Sequence, residues 1–323
     1  MAADTKIEWT DATWNPVTGC SVQSPGCKNC YAMKLAGTRL RHHPSRAGLT
    51  QESAAGPVWT GETRFNADWL EQPLQWTRAR MIFVCAHGDL FHPSVPDEWI
   101  DQVFAVMALA ERHTFQVLTK QAQRAAEYFA HPVRAPLIGQ QVGQINLRRT
   151  GNPVAEWSGV PLPNVWIGAS AEDQHRLDER LPHLVAIPAA VRYLSLEPLL
   201  GSVQIDQRLI TPIEGTSQHG QRFIDWVIVG GESGNGARPM HPEWARGLRD
   251  QCQAAGVAFF FKQWGAWAPG SNFPDHIPSG ESCSFDQNMD DNARVWKVGK
   301  KAAGRLLDGR TWDQFPEAHH GAP

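Results

Sequence analysis

The stretch DWVIVGGESG (225–234) holds the reading that decides the fold. Trp226, Val227, Ile228 and Val229 form an unbroken apolar run, not an alternating one, and the run ends in Gly230-Gly231 followed by Glu232 and Ser233. Continuous apolarity over so few residues suits a strand buried on both faces, as in a parallel sheet. The same grammar recurs in MIFVCA (81–86), TFQVLTK (114–120), NVWIGAS (164–170), VRYLSLEP (191–198) and VAFFFKQW (257–264). Helical patterns separate several of these runs. In 97–112, Trp99, Val103, Phe104, Met107 and Ala110 recur at helical spacing, and in 172–186 Leu177, Leu181 and Leu184 do so. In 241–255, Pro242 suits the first helical turn, and Trp244, Leu248 and Cys252 share a face.

Alternating strands and helices imply βα units with right-handed crossovers. Six strands, with one more near IEWT (7–10) or later in the chain, approach a barrel, and a doubly wound open sheet is the alternative. The expected class is α/β: a parallel (β/α) partial or full TIM-like barrel with loop insertions and an irregular C-terminal extension. The barrel is expected over 1–265, with insertions near 41–62, 131–163 and 201–224, the first a long loop, the second an insertion or flap and the third a short hairpin. Residues 266–323, rich in Gly, Pro, Asn and Asp, are expected to form the extension packed on the barrel, with 300–316 as a docking turn or helix.

Composition narrows the function. A chain of 323 residues, 42% of them hydrophobic, can bury a large core. The net charge of −3 gives no global basic field, so contact with nucleic acid would need a local patch. There is no apolar run of membrane-spanning length and no signal-peptide pattern, so a cytoplasmic location and no membrane partner are expected. Six cysteines are too sparse for a disulfide scaffold. Fourteen tryptophans serve as packing residues or as stacking surfaces for bases or sugars.

Ionisable or hydrogen-bonding groups follow every apolar run. They are His87, Gly88 and Asp89, then Thr119 and Lys120, then Ser170, Glu172 and Asp173, then Glu197, then Glu232 and Ser233, and finally Lys262, Gln263 and Trp264. In parallel α/β folds the C-terminal ends of the strands carry the active site. Glu197, Glu232 and Lys262 lie directly against apolar runs, where an unpaired charge is costly. Internal pairing of Glu197 or Glu232 with Lys262 or Lys120 is therefore an alternative to a catalytic role. The glycines of GGESG permit close backbone approach to a ligand but lack a dinucleotide or P-loop spacing.

GCSVQSPGCKNCYA (19–32) places Cys20, Cys27 and Cys30 within eleven positions. Three readings remain open on the residues alone. The cysteines are unrelated thiols, or a structural zinc site completed by His42, His43 or His87, or three ligands of a 4Fe–4S cluster with one iron free. A free iron can bind S-adenosylmethionine and pass it an electron, giving a 5′-deoxyadenosyl radical that abstracts hydrogen from carbon.

That motif, with VCAHGDLFH (84–92), LEPLLG (196–201), GGESGNGARPMHPEW (230–244), FFFKQWG (259–265) and GKKAAGRLLDGRTWDQFP (299–316), resembles a phage- and prophage-associated three-cysteine-motif family related to radical S-adenosylmethionine enzymes. The resemblance implies a (β/α) barrel and a 4Fe–4S cluster on Cys20, Cys27 and Cys30. It implies an adenosylmethionine site in which His87, Gly88 and Asp89 meet the amino group, and Ser170, Glu172 and Glu197 meet the ribose and methionyl parts. Lys262 and Glu232 are then the catalytic candidates, and Lys120, Ser233, Gln263 and Trp264 the substrate contacts. A reductase or flavodoxin-type electron donor and a DNA or nucleotide substrate are the implied partners. Tyr193, Cys85 and Cys283 are candidates for hydrogen transfer. The basic run Lys28, Lys34, Arg39, Arg41, His42, His43 and Arg46 offers a phosphate dock, and Trp14, Trp59, Trp264 and Trp267 offer stacking surfaces. The competing reading is a non-enzymatic, zinc-containing nucleic-acid-binding protein.

Overall fold

A computed structural model describes residues 3–155, 157, 159–211, 222–273, 276, 278–285 and 294–317. The chain divides into two compact units. The first comprises 1–169, 180–191 and 318–323, and the second 170–179 and 192–317.

In the first unit Ala12–Trp14 runs parallel to Met81–Val84, which runs parallel to Thr114–Thr119, which runs parallel to Val165–Ser170. Registers such as Ala12↔Ile82, Ile82↔Phe115 and Val117↔Ile167 bring the apolar runs side by side. In the second unit Val191–Leu196, Trp226–Gly230 and Ala258–Gln263 form another parallel set, with Leu194↔Val227 and Val227↔Phe259 in register. All residues of Val165–Ser170 and Trp226–Gly230 are buried, as their unbroken apolarity requires. Helices Asp97–Leu109, Ala122–Ala130, Gln174–Ala186 and Pro242–Ala255 accompany the strands. Pro242 occupies the first turn of its helix, and Gly256, in the left-handed region at φ +65°, ends it. Cys252 is a core residue of that helix.

Three expectations change. Residues 131–163 do not form a flap, because Arg134–Thr150 is a helix of 17 residues. Ile138, Val142 and Ile145 give it a buried stripe, and Arg134 pairs with the buried Asp101 at 3.2 Å, itself bonded to Tyr128 at 2.5 Å. Its proline, Pro136, lies in the first turn, where no helical hydrogen bond is lost. Within 41–62, Thr50–Ser53 and Gly56–Trp59 form an antiparallel hairpin instead of a plain loop. In 201–224 the described part holds a helical turn, Gln207–Ile210, and the rest of the expected hairpin lies outside the described residues.

Residues 300–316 do dock, as a short helix Lys300–Ala303 and a strap along Ala258–Gln263. Phe261 N–H donates to the Trp312 carbonyl at 2.9 Å, and Gln314 N–H donates to that of Phe259 at 3.2 Å, so the strap covers an edge of that strand. No described helix is long and apolar enough to cross a membrane.

Candidate functional site

Strand-end residues gather into two sets, one in each unit. In the first unit a glycine pair fixes the cysteine loop to the strand Met81–Val84. Gly19, at φ +98°, donates its N–H to the His87 carbonyl at 3.1 Å. A Cβ on Gly19 would lie 2.2 Å from the Glu62 carbonyl oxygen, which leaves no room for a side chain, and one on Gly88 would lie 3.0 Å from the Gly19 carbonyl oxygen, a tight fit. Cys20 follows Gly19 directly. Cys27 ends a single turn, Pro25–Cys27, and Cys30 caps the helix Tyr31–Gly37. Gly37 of that helix sits against Pro57 of the hairpin, where a Cβ would approach to 2.0 Å. Tyr31 keeps half its surface exposed but donates its hydroxyl to the Ala86 carbonyl at 2.7 Å, tying the helix to the same strand end.

All three thiols are free, and they sense one another. Cys20 and Cys30 pack against Ala32, Met33, Ala36, Leu49 and Trp59. Burial pushes the Cys20 thiol well above its ordinary range, and Asp89, Cys27 and Cys30 add to the rise. Burial raises Cys30 too, opposed by the N–H groups of Met33 and Ala32 and by the charge of Lys120. Lys120 Nζ donates to Ser24 Oγ at 3.4 Å, and Ser24 Oγ lies 3.9 Å from Cys27 Sγ. Lys120, read from sequence as a substrate contact, thus belongs to the surroundings of the thiols.

Asp89 accepts from Thr119 Oγ1 at 2.7 Å, from the Lys120 N–H at 2.9 Å and from the Phe91 N–H at 3.0 Å. Burial is the largest influence on its carboxyl and raises its pKa. These bonds weld two strand ends together. Gly88 contributes by letting the backbones meet. His87 is held down to about 4 by burial and by the nearby Arg46 charge, so its imidazole is neutral near pH 7. Its Nδ1 is buried with no hydrogen-bond partner among the described residues.

Thiolates suit iron–sulfur clusters and zinc, and neutral imidazole suits zinc, so the donor types fit a metal centre. The arrangement does not: among the described residues no group of three or more His, Cys, Asp or Glu side chains could hold a metal ion as placed.

The second unit collects the carboxylates. Lys262 Nζ donates to Glu197 Oε2 at 2.9 Å, the internal pair that sequence left as an alternative. Gln263 Nε2 donates to Glu197 Oε1 at 3.3 Å. Glu232 is only 6% exposed. Its partner is Arg238, six residues on, whose Nη2 lies 2.6 Å from Oε1 and whose Nε and backbone N–H both reach Oε2 at 2.9 Å. Sequence reasoning passed over Arg238, although it follows Glu232 within one glycine-rich turn. Glu172 is fully buried, with its charge felt by Arg238, Ser170 is buried beside it in sequence, and Ser233 is half-buried.

The glycines of this loop answer to the chain itself. A Cβ on Gly231 would lie 2.0 Å from the Trp264 carbonyl oxygen, and one on Gly265 would lie 2.1 Å from that of Glu232. The close approach expected toward a ligand is thus made by the backbone at 264–265.

The stacking surfaces are not available. Trp14, Trp59, Trp264 and Trp267 are all buried, and the indole N–H groups of Trp14, Trp264 and Trp267 donate to the carbonyls of Trp69, Leu306 and Ala237. Burying a ring this large outweighs leaving it exposed for a base. Tyr193 and Cys85 are buried as well, and Cys283 is half-buried in a small sheet.

The basic run is exposed at Lys28, Arg39, Arg41, His42 and His43, and Lys34 is half-buried. From Cys20 to Gln51 the chain carries five Lys or Arg, two His and no Asp or Glu. Among the described residues no carboxylate pairs with Lys28, Arg39 or Arg41. Arg46, the last of the run, is buried.

Comparison with curated proteins and with solved structures finds no match. A family model does match, over residues 4–316, and the chain belongs to the family described as Protein of unknown function (DUF5131).

Proposed function

We propose that this protein is a radical S-adenosylmethionine enzyme in which Cys20, Cys27 and Cys30 hold a 4Fe–4S cluster with one iron left open, and that it acts on nucleic acid or a nucleotide. The observation that carries the reading is three free thiols on one short loop, Cys20 and Cys30 of them in a desolvated setting, with that loop bonded to the end of the parallel strand Met81–Val84 through Gly19 and His87. In this reading the loop closes its thiols on loading, and the parallel strands belong to a partial barrel. Metal binding deprotonates thiols, so the burial that now favours the protonated form would be offset when a cluster is bound. When bound, such a cluster supplies the electron that cleaves the adenosylmethionine sulfonium bond.

The chain's own residues prepare that chemistry. Asp89 clamps the strand ends beneath the loop, Lys120 sets a cation beside Cys30, and His87 stays neutral. Ser170, Glu172 and Glu197 serve the cofactor. Glu232 and Lys262 hold a charge and a proton ready at substrate, with Ser233 and Gln263 beside them. The acid-free basic rim supports a phosphate-bearing substrate. A cytoplasmic protein of this kind would draw its electrons from a flavodoxin-type donor or a reductase.

The test is iron and sulfide analysis after purification without oxygen. Wild type is expected to be brown, with about four irons per chain, and Cys27→Ala to lose iron while keeping its circular dichroism. Stoichiometric zinc without iron overturns the reading in favour of a zinc-containing nucleic-acid-binding protein, for which neutral His87 is a ready nitrogen donor. A brown protein that never cleaves adenosylmethionine keeps the cluster and removes the radical chemistry.

A further inference from the structure

Arg46 is a buried cation with no carboxylate partner among the described residues. It is 5% exposed, in the turn that follows the exposed basic run. Its Nη1 donates to Ser45 Oγ at 2.5 Å and to the Ser45 carbonyl at 3.4 Å. Its Nε–H is buried with no acceptor, and Nη2 bonds to nothing among the described residues. The face of Trp69 lies 5.8 Å from the guanidinium carbon. Among the described residues no Asp or Glu pairs with it; its electrostatic neighbours are the thiol of Cys85, the imidazole of His87 and a second cation, Arg64. Burial pushes that thiol up to about 12, so it carries no charge near pH 7.

Arg64 presses on the same turn, donating to the carbonyls of Pro44 at 2.5 Å and Ala47 at 2.7 Å. The Thr18 hydroxyl donates to the Ser45 carbonyl at 2.7 Å, which ties the turn to the strand that enters the cysteine loop. A desolvated, unpaired charge costs several kcal/mol, and the desolvation is felt here, since burial lowers the Arg46 guanidinium to about 10. The Nε–H and Nη2–H edge, which bonds to nothing among the described residues, has the spacing to donate to two oxygens of one oxyanion.

We infer that Arg46 is the anchor of an oxyanion site that takes a phosphate or a carboxylate on its Nε and Nη2 edge, with Arg64 as the supporting cation. The inference stands on Arg46 and its neighbours and does not depend on what the thiols bind.

The experiment is thermal unfolding of the purified protein at matched ionic strength in sodium chloride, inorganic phosphate or acetate, on wild type, Arg46→Lys and Arg46→Met. A ligand of the folded state raises Tm with concentration. The expected result is a rise of about 3–6 °C for wild type in the preferred anion over chloride. Phosphate above acetate identifies a phosphoryl ligand, and the reverse order a carboxylate. Arg46→Lys keeps the charge but loses the fork, so at most half of the rise remains. Arg46→Met loses the rise altogether, and in chloride its Tm matches or exceeds wild type, because an uncompensated buried charge has been removed. No anion response in wild type overturns the inference. So does a response that survives Arg46→Met, or an Arg46→Met protein that is less stable in chloride, which would make Arg46 a packing residue on Trp69. Should Arg46→Met fail to fold, phosphate titration followed by 31P line width on wild type and Arg46→Lys decides, with equal broadening in both overturning the site.

Discussion

The cysteine loop of the first unit and the carboxylate loop of the second both lie at the ends of buried parallel strands and both depend on close glycine packing, yet they treat charge in opposite ways. In the second unit many described ionic groups are answered: Lys262 by Glu197, Arg238 by Glu232, Arg246 and Arg249 by Asp308, Arg305 by Asp313 and Lys297 by Glu281. In the first unit, the stretch 20–51 has no carboxylate at all, and its thiols and Arg46 share a desolvated setting. A loop whose charges are all answered can hold its shape alone. A loop with buried thiols and an unanswered cation is stable only at a cost, and such a cost is recovered when something binds. The difference lies in where the counterion comes from: the ion pairs of the second unit supply their own, whereas among the described residues no carboxylate pairs with Arg46 or with the exposed cations of 20–51.

The largest effect should come from unsettling the second unit. Arg238→Met takes the arginine away from the buried carboxylate of Glu232, at a cost of about 3–5 kcal/mol. Denaturant unfolding measures it directly. The double variant Glu232→Gln/Arg238→Met removes both charges and should recover most of the loss. If Arg238→Met costs under about 1 kcal/mol, the pair is not a scaffold element and the contrast between the units fails.

How much of this could be read beforehand depends on whether the cause was local. The strands were legible because unbroken runs such as WVIV and VWIGA leave few alternatives, and the cysteine loop because its three thiols are crowded in sequence. The helix 134–150 was missed because its buried residues are few, Ile138, Val142 and Ile145, and its first turn contains a proline. Pairing was legible only in part: Glu197 with Lys262 joins two strand ends, as expected, whereas Arg238 reaches back to Glu232 within a turn whose shape no periodicity encodes. The tryptophans misled because size favours burial at every position, so a count of rings says nothing about which face water. Arg46 looked like one more member of a solvated basic run, and only the packing of Trp69 and the 43–49 turn around it reveals the buried charge.

A smaller effect should separate the units by pH. Burial, then the charge of Arg46, holds folded His87 near 4, below its ordinary value of 6.5. Between those values the unfolded chain takes up a proton that the folded chain refuses. Stability therefore falls as pH drops from about 6.5 to about 4 and levels off below. Because His87 is only half-buried by area, the contribution is put at about 1–2 kcal/mol. Asp89, whose carboxyl burial raises, works in the opposite sense at low pH, so the informative quantity is the difference between wild type and His87→Gln. The variant should show the shallower decline. Parallel curves would mean that His87 is solvated and that the desolvation of the first unit stops short of it.

The smallest effect on stability carries the sharpest comparison. Lys28, Arg39 and Arg41 are exposed and unpaired among the described residues, so replacing all three with alanine should leave Tm within about 2 °C. If they are unpaired because a phosphate backbone is their partner, each contact releases counterions on binding. The slope of log affinity for single-stranded DNA against log salt should then fall by about 2, at roughly 0.7 per lost contact. Arg208 of the second unit is also exposed but already answered by Asp206 at 2.5 Å, and Arg208→Ala should leave the slope unchanged. Exposed cations would thus differ in whether the protein supplies their counterion. Equal slopes for the two variants would show that the acid-free stretch is an ordinary solvated surface, and that the thiols beside it do not owe their setting to a polyanion.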